Sequence, residues 1–107
     1  RARFEKTIAD LESGAGGLAF ASGMAAITSV MLHLRPGDEV LAGRDLYGGT
    51  YRLLHQVTRK FGINVKLVDT TDLDQIEQGI SSATKLLWLE TPGNPLLSIT
   101  DLAGAIR

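Results

Sequence analysis

Apolar residues repeat along the chain with two alternating periods, which predicts helices and strands in alternation. Phe4, Ile8 and Leu11 recur at helical spacing with charged residues between them, so we expect a first helix that stops at Gly14. The predicted strands cover residues 17–20, 39–42, 64–68 and 85–89. The other predicted helices cover residues 23–34, about 49–61 with Gly62 ending it, and 72–80, and a last helix opens at Thr100 and Asp101.

This order of elements is typical of an α/β fold with three layers, in which helices flank a mostly parallel sheet joined by right-handed crossovers. No repeat, linker or low-complexity segment interrupts the pattern, so residues 1–107 are interpreted as one unit without an internal boundary. Parallel strands all point one way, so the segments after Phe20, Ala42 and Leu89 are expected at one edge of the sheet. Ligands of open α/β sheets bind at that edge.

The first of these segments is predicted to start a helix. The backbone N–H groups of Gly23 and Met24 would have no partner within the helix, and together with the helix dipole they favour a phosphate. Ser22 as an ordinary N-cap explains the same residues without a ligand. Both interpretations remain open on this segment alone.

The other two segments carry an aromatic ring and an amide. Tyr47 precedes two glycines, an arrangement that suits stacking on a flat ligand but is also common in simple turn packing. Asn94, between Gly93 and Pro95, can donate to a ligand oxygen, and its bond to Pro95 could be cis. A proline-rich surface loop is the alternative interpretation.

Composition narrows the classes of function. A net charge of −1 and a pI of about 6.1, with acids and bases interspersed, favour a small neutral or zwitterionic partner over nucleic acid or an anionic membrane. No apolar run reaches the ~18 residues expected of a membrane span. The chain has no cysteine, so cytoplasm is the default location, and neither a disulfide nor a thiolate metal site is possible. His33 and His55 lie in predicted helices without metal-ligand spacing, so no metal site is predicted.

The ends of the chain suggest that it belongs to a longer protein. Arg1 enters the first predicted helix without an initiator Met, and Arg107 lies within the last predicted helix. We therefore expect a fragment.

Four segments, taken together, resemble the Cys/Met-metabolism family of pyridoxal-phosphate enzymes, which includes cystathionine γ-synthase and the cystathionine lyases. They are residues 11–12 (LE), 19–27 (AFASGMAAI), 47–52 (YGGTYR) and 89–96 (LETPGNPL). The order and spacing of the segments match the family through nearly the whole chain. The resemblance implies a fold type I enzyme, with residues 1–107 forming part of its large cofactor-binding domain.

The resemblance also implies a cofactor, pyridoxal 5′-phosphate, and roles for individual residues. Gly23 and Met24 would supply backbone N–H groups to the cofactor phosphate, and Asn94 would bind the phenolic oxygen of its ring. Tyr47 would stack on the ring and take part in proton transfer, which makes it the catalytic candidate. Arg52 would lie near the substrate.

For activity, the resemblance implies β- or γ-elimination or replacement on sulfur amino acids or acylated homoserine, by a homotetramer built from dimers. The family's cofactor-binding lysine, the aspartate that pairs with the pyridinium nitrogen, and the Tyr and Arg borrowed from a neighbouring subunit have no counterpart here, so this segment alone is expected to be inactive. Gly49 stands where typical methionine γ-lyases are expected to carry cysteine, which argues against that member. The resemblance does not distinguish a synthase from a lyase.

Two other classes of protein are considered. A non-enzymatic α/β module would explain why the chain lacks the lysine. A nucleotide-binding domain would share strand-then-helix phosphate capture, but neither Gly-x-Gly-x-x-Gly nor Gly-Lys-Ser/Thr follows a predicted strand.

Overall fold

The computed structural model describes residues 1–107 and contains three strands in one parallel sheet. The strands are β1 (Glu39–Gly43), β2 (Asn64–Val68) and β3 (Thr84–Trp88). Their order is β2-β1-β3, and β1 pairs in parallel with both neighbours. The predicted α/β class with a parallel sheet is therefore confirmed.

Helices connect and flank these strands. They are α1 (Ala2–Leu11), α2 (Gly23–Met31), α3 (Gly48–Arg52), α4 (Leu73–Gly79) and α5 (Leu102–Ala105). After α3 the chain stays helical, first with π winding over Leu53–Val57 and then with 3₁₀ winding over Thr58–Phe61. None of the helices has the length and apolar character needed to cross a membrane.

Strand β1 is the centre of the core because it has a strand on each side and helices on both faces. Val40, Leu41 and Ala42 are fully buried. Successive side chains of a strand point to opposite faces, so Val40 and Ala42 pack with Leu54 and the α2 side, whereas Leu41 packs with Ile76 of α4. The sheet thus has helices on both sides, as a three-layer α/β unit requires.

The predicted strand at residues 17–20 is wrong. These residues pair with no strand. The carboxylate of Glu5 in α1 accepts the Ala19 N–H at 2.8 Å, and Gly17 lies so close to α1 that an added Cβ would be 2.5 Å from the Glu5 carbonyl oxygen. The apolar pattern is right for an extended segment, but a strand also needs a partner for its backbone groups.

Two helix ends also differ from the prediction. The first helix is closed by Ser13 at φ 54°, and Gly14 follows it, donating its N–H to the Ala9 carbonyl at 2.8 Å, which is the Schellman pattern one residue earlier than expected. Helix α2 ends at Met31 rather than Leu34, and two i→i−3 turns follow it. Pro36 disfavours helical backbone at Arg35, and the chain has already tightened into these turns before that residue.

The third helix begins one residue earlier than predicted, at Gly48, and its winding changes along its length. The Thr58 hydroxyl donates to the Leu54 carbonyl at 2.8 Å, a side-chain bond that competes with the backbone ladder. Gly62 ends the segment at φ 76°, as the sequence predicts. Asp72 and Asp101 cap α4 and α5 with their side chains, which matches the predicted starts of both helices.

Candidate functional site at the carboxyl edge of the sheet

Two of the predicted site loops leave the sheet side by side. In the parallel pairing of β1 with β3, Ala42 is aligned with Trp88. The loop that carries Tyr47 therefore starts next to the loop that carries Asn94. This arrangement was predicted from strand direction alone, and it places both loops where ligands bind in open α/β sheets.

Tyr47 lies against the start of helix α2. An ideal Cβ built on Gly49 would collide with the Tyr47 ring and would be 2.7 Å from Met24 Sδ. Tyr47 and Met24 therefore meet over Gly49, which is buried and has room for no side chain. Half of the Tyr47 surface remains exposed, so its ring can contact a ligand.

The start of α2 offers two free donors. Ser22 is extended, at φ −156°, and its hydroxyl oxygen accepts the Ala25 N–H at 3.1 Å. The Ser22 carbonyl accepts the Ala26 N–H, whereas the N–H groups of Gly23 and Met24 donate to no protein acceptor. The N-cap interpretation of Ser22 is thus confirmed, and it is compatible with anion binding because the cap uses a different N–H.

Asn94 is exposed on the loop after β3, and its side chain makes no hydrogen bond. Its backbone N–H points to the Asp45 carbonyl at 3.5 Å. The peptide bonds before Pro92 and Pro95 are both cis. The sequence indicated that the bond between Asn94 and Pro95 could be cis. Asn94 is therefore joined to the Tyr47 loop through its backbone, and its amide group is free for a ligand.

Arg52 is the last residue of α3, one helical turn after Gly48. A Cβ added to Gly48 would be 3.3 Å from Arg52 Nη1, so the guanidinium lies over the same glycine turn. Neither of the two salt bridges in the structure involves Arg52. An unpaired cation beside Tyr47 is suited to a carboxylate ligand.

Two carboxylates that the sequence analysis did not single out connect the loops. Glu90 accepts hydrogen bonds from the Tyr47 N–H and the Thr50 hydroxyl, each at 2.6 Å. Asp45 accepts from the Ser98 hydroxyl at 2.7 Å and from the Leu96 N–H at 3.3 Å. Burial would raise the pKa of Asp45, but these hydrogen bonds and the Ser98 N–H outweigh it and lower that pKa. Each loop thus supplies a carboxylate to the other.

A cavity of about 400 Å³ lies beside these loops, at the ends of β1 and β2. Its lining includes Asp45 and Pro95 but none of the predicted site residues. Gly23, Tyr47, Arg52 and Asn94 are exposed, so within this chain they form an open surface and not a closed pocket.

At this edge of the sheet, a free helix start, a half-exposed tyrosine and a free amide are groups that suit a ligand with a phosphate and an aromatic ring. Over residues 1–107 the chain matches the family described as Cys/Met metabolism PLP-dependent enzyme, and it belongs to that family. The cofactor of the family is pyridoxal 5′-phosphate (PLP).

Individual relatives support this family assignment. The chain is 46% identical over 107 residues to cystathionine beta-lyase of Bacillus subtilis (strain 168), covering 100% of this chain and 27% of the relative. It is 48% identical over 102 residues to cystathionine gamma-lyase of the same organism, covering 95% and 27%. The crystal structure of cystathionine gamma-lyase from Lactobacillus plantarum complexed with L-serine has a TM-score of 0.90 and 50% identity over 92% of this chain and 26% of that chain. The chain therefore spans about a quarter of these relatives.

The residues present fit this cofactor in the chemistry of their donors. The unpaired amides of Gly23 and Met24 suit a phosphate, since they combine free N–H groups with the positive end of a helix. No atom lies within 4 Å of a Cβ built on Gly23, so a ligand can approach the backbone there. The exposed Tyr47 ring and the free Asn94 amide suit an aromatic ring with an oxygen substituent.

Proposed function

We propose that the full-length protein catalyses PLP-dependent β- or γ-elimination or replacement on sulfur amino acids or acylated homoserine, as in transsulfuration. Residues 1–107 would be part of its large cofactor-binding domain. The observation that carries the proposal is the meeting of the Tyr47 ring with the Gly23–Met24 helix start over Gly49. Membership of a family with lyases among its members supports it.

In this proposal, residues of this chain bind and orient the cofactor and the substrate, and one of them transfers a proton. The N–H groups of Gly23 and Met24 bind the phosphate, the Tyr47 ring stacks on the pyridine ring, and the Asn94 amide donates to the ring oxygen. The Tyr47 hydroxyl transfers a proton during the reaction, and Arg52 binds the substrate carboxylate. PLP, when bound, supplies delocalisation of negative charge from the substrate carbon into its ring.

The proposal extends to the setting of the full-length protein. By its family resemblance it would act as a homotetramer, with a small amino acid as substrate. A cytoplasmic location is proposed on the default expectation for a chain without cysteine.

The test is the purified full-length protein with cystathionine, and separately with an acylated homoserine plus cysteine. β-Elimination of cystathionine gives pyruvate, ammonia and homocysteine, whereas γ-elimination gives 2-oxobutyrate, ammonia and cysteine. Replacement on acylated homoserine gives cystathionine and the free carboxylic acid. Visible absorbance of bound PLP together with one of these product sets is expected. A colourless protein that forms none of them would refute the proposal and favour a non-enzymatic module.

The role of Tyr47 is tested by Tyr47→Phe with Tyr51→Phe as its matched control. Both tyrosines are about half exposed, but the Tyr51 ring lies against His55, with ring centroids 4.2 Å apart. Tyr47→Phe retains the ring and loses the proton, so we expect PLP binding to persist while kcat falls by about 100-fold or more. Tyr51→Phe should behave as the parent. Equal kcat values in the two variants would exclude proton transfer by Tyr47.

A further inference from the structure

Helix α3 begins without a capping side chain of its own. Its N-cap is Tyr47, whose side chain makes no cap hydrogen bond. In a capping box the residue three positions after the N-cap is Glu or Gln, and its side chain accepts the N-cap N–H. That position is Thr50, which is fully buried and has no carboxylate. No side chain of α3 therefore accepts the Tyr47 N–H.

Glu90, on the loop after β3, supplies that acceptor across 43 residues. One of its carboxylate oxygens accepts the Tyr47 N–H, and the other accepts the Thr50 hydroxyl, both at 2.6 Å. The second oxygen also accepts the Trp88 indole N–H at 3.1 Å. Three donors, from the start of α3, its first turn and the end of β3, are thus joined through one carboxylate. Its negative charge lies at the positive end of the helix.

We propose that Glu90 is a positioning residue for the cofactor site: it holds the backbone of Tyr47 and so sets where the Tyr47 ring lies against PLP. Asp45 performs the reverse task, since it lies two residues before Tyr47 and binds Leu96 and Ser98 on the loop of Asn94. The loop that carries the ring and the loop that carries the amide are thereby joined in both directions. This inference rests on the proposed function, because it assigns the two groups a common ligand.

The chain offers a matched control for Glu90 at the opposite end of the sheet. Glu39, the first residue of β1, accepts hydrogen bonds from the hydroxyls of Ser81 and Thr84 at 3.1 and 2.6 Å. It also joins segments more than 40 residues apart through hydroxyl donors. Glu39→Gln therefore weakens a comparable connection away from the site, and any effect specific to the site should appear in Glu90→Gln alone.

The first measurement is hydrogen exchange of the full-length protein without cofactor, followed by mass spectrometry of the peptide that contains Tyr47. We expect faster exchange of this peptide in Glu90→Gln and parent-like exchange in Glu39→Gln. The second measurement is the PLP dissociation constant with the visible spectrum of bound PLP, and the third is steady-state kinetics. Because misplacement of reacting groups by about 1 Å can cost about 100-fold, we expect a 10- to 100-fold lower kcat/KM and a shifted spectrum in Glu90→Gln only.

If Glu90→Gln fails to fold, two variants of Thr50 test the positioning role of Glu90 instead. Thr50→Val removes the hydroxyl donor with little change in shape, whereas Thr50→Ser keeps it. Thr50→Val should shift the spectrum and lower kcat/KM, and Thr50→Ser should restore both. The proposal would be overturned if kcat/KM fell only in proportion to the folded fraction of the protein while the spectrum of bound PLP stayed unchanged. A parent that neither binds PLP nor reacts would refute the proposed function and the positioning role with it, while the exchange data would still report whether Glu90 holds the Tyr47 N–H.

Discussion

Gly49→Ala is expected to disturb the site through space alone. Its new Cβ would occupy the position of the Tyr47 ring edge and would lie 2.7 Å from Met24 Sδ. Real Cβ atoms do not approach other atoms so closely, so the ring or the thioether must move. Because Gly49 is buried in the first turn of α3, the backbone has little freedom to relieve the contact.

The magnitude follows from two opposing terms. Overpacking of a buried position costs about 1–3 kcal/mol. Alanine is favoured over glycine by at most about 1 kcal/mol in a helix, and less in a first turn. With a gain of about 0.5 kcal/mol in a first turn, the net loss of stability is about 0.5–2.5 kcal/mol. Gly23→Ala is the matched control: it makes the same change in the first turn of α2, where a Cβ has no atom within 4 Å, so it should be neutral or stabilising.

The assay is thermal unfolding of the full-length protein without cofactor, with both variants and the parent at one scan rate. For domains of 150–250 residues, about 2–4 °C corresponds to 1 kcal/mol, so Gly49→Ala should melt a few degrees below the parent. It should also bind PLP more weakly if the Tyr47 ring is displaced. Equal melting temperatures for Gly49→Ala and Gly23→Ala would refute the close packing of Tyr47 and Met24.

Two further predictions concern pH and helix capping. Burial first, and then the charge of Arg59, lower the pKa of His55, whose Nε2 is buried without a partner. The unfolded chain then binds the proton first as pH falls below about 6.5, so stability should decrease between that value and the lower folded pKa. His55→Gln should flatten the fall in melting temperature over this window, and an unchanged slope would contradict the assignment. Ser22→Ala removes the acceptor of the Ala25 N–H and should cost about 1 kcal/mol, whereas Ser22→Asp keeps an acceptor and should melt like the parent. Parent-like melting of Ser22→Ala would mean that the cap contributes nothing.

The sequence predicted the fold class because most of its signals are local. Strand 64–68 is a run of β-rich residues with turns on both sides, and its predicted bounds match β2. Gly62 at φ 76° and the caps Asp72 and Asp101 are likewise readable from residue type, since each satisfies a requirement of the adjacent helix end. Parallel strand direction then placed the Tyr47 and Asn94 loops at one edge.

The errors arise where the deciding partner is distant in sequence. Residues 17–20 are apolar and extended, but their one side-chain acceptor is Glu5 on α1, and no strand lies beside them. The same reason explains why Glu90 was missed as a functional residue, since its contacts with Tyr47 and Thr50 cross 43 and 40 residues. A usable signal was present: a helix that starts Tyr-Gly-Gly-Thr has no capping side chain, so its first N–H groups can be paired only by water or by an acceptor from elsewhere in the chain.

Four glycines of the chain form two pairs that differ in what the missing side chain makes possible. Gly37 and Gly62 have positive φ and serve turns outside the site. Gly49 and Gly93 have no positive φ, yet a Cβ on either would collide with a group that the site depends on, the Tyr47 ring in one loop and the Asp45 carboxylate in the other. Each glycine therefore leaves space for a positioning or stacking group on the loop of Tyr47. The Asp45 carboxylate can approach the loop of Asn94 because Gly93 lacks a side chain, and the Tyr47 ring can approach Met24 because Gly49 lacks one. A substitution at either glycine should therefore displace Asp45 or Tyr47 even where the backbone conformation tolerates it.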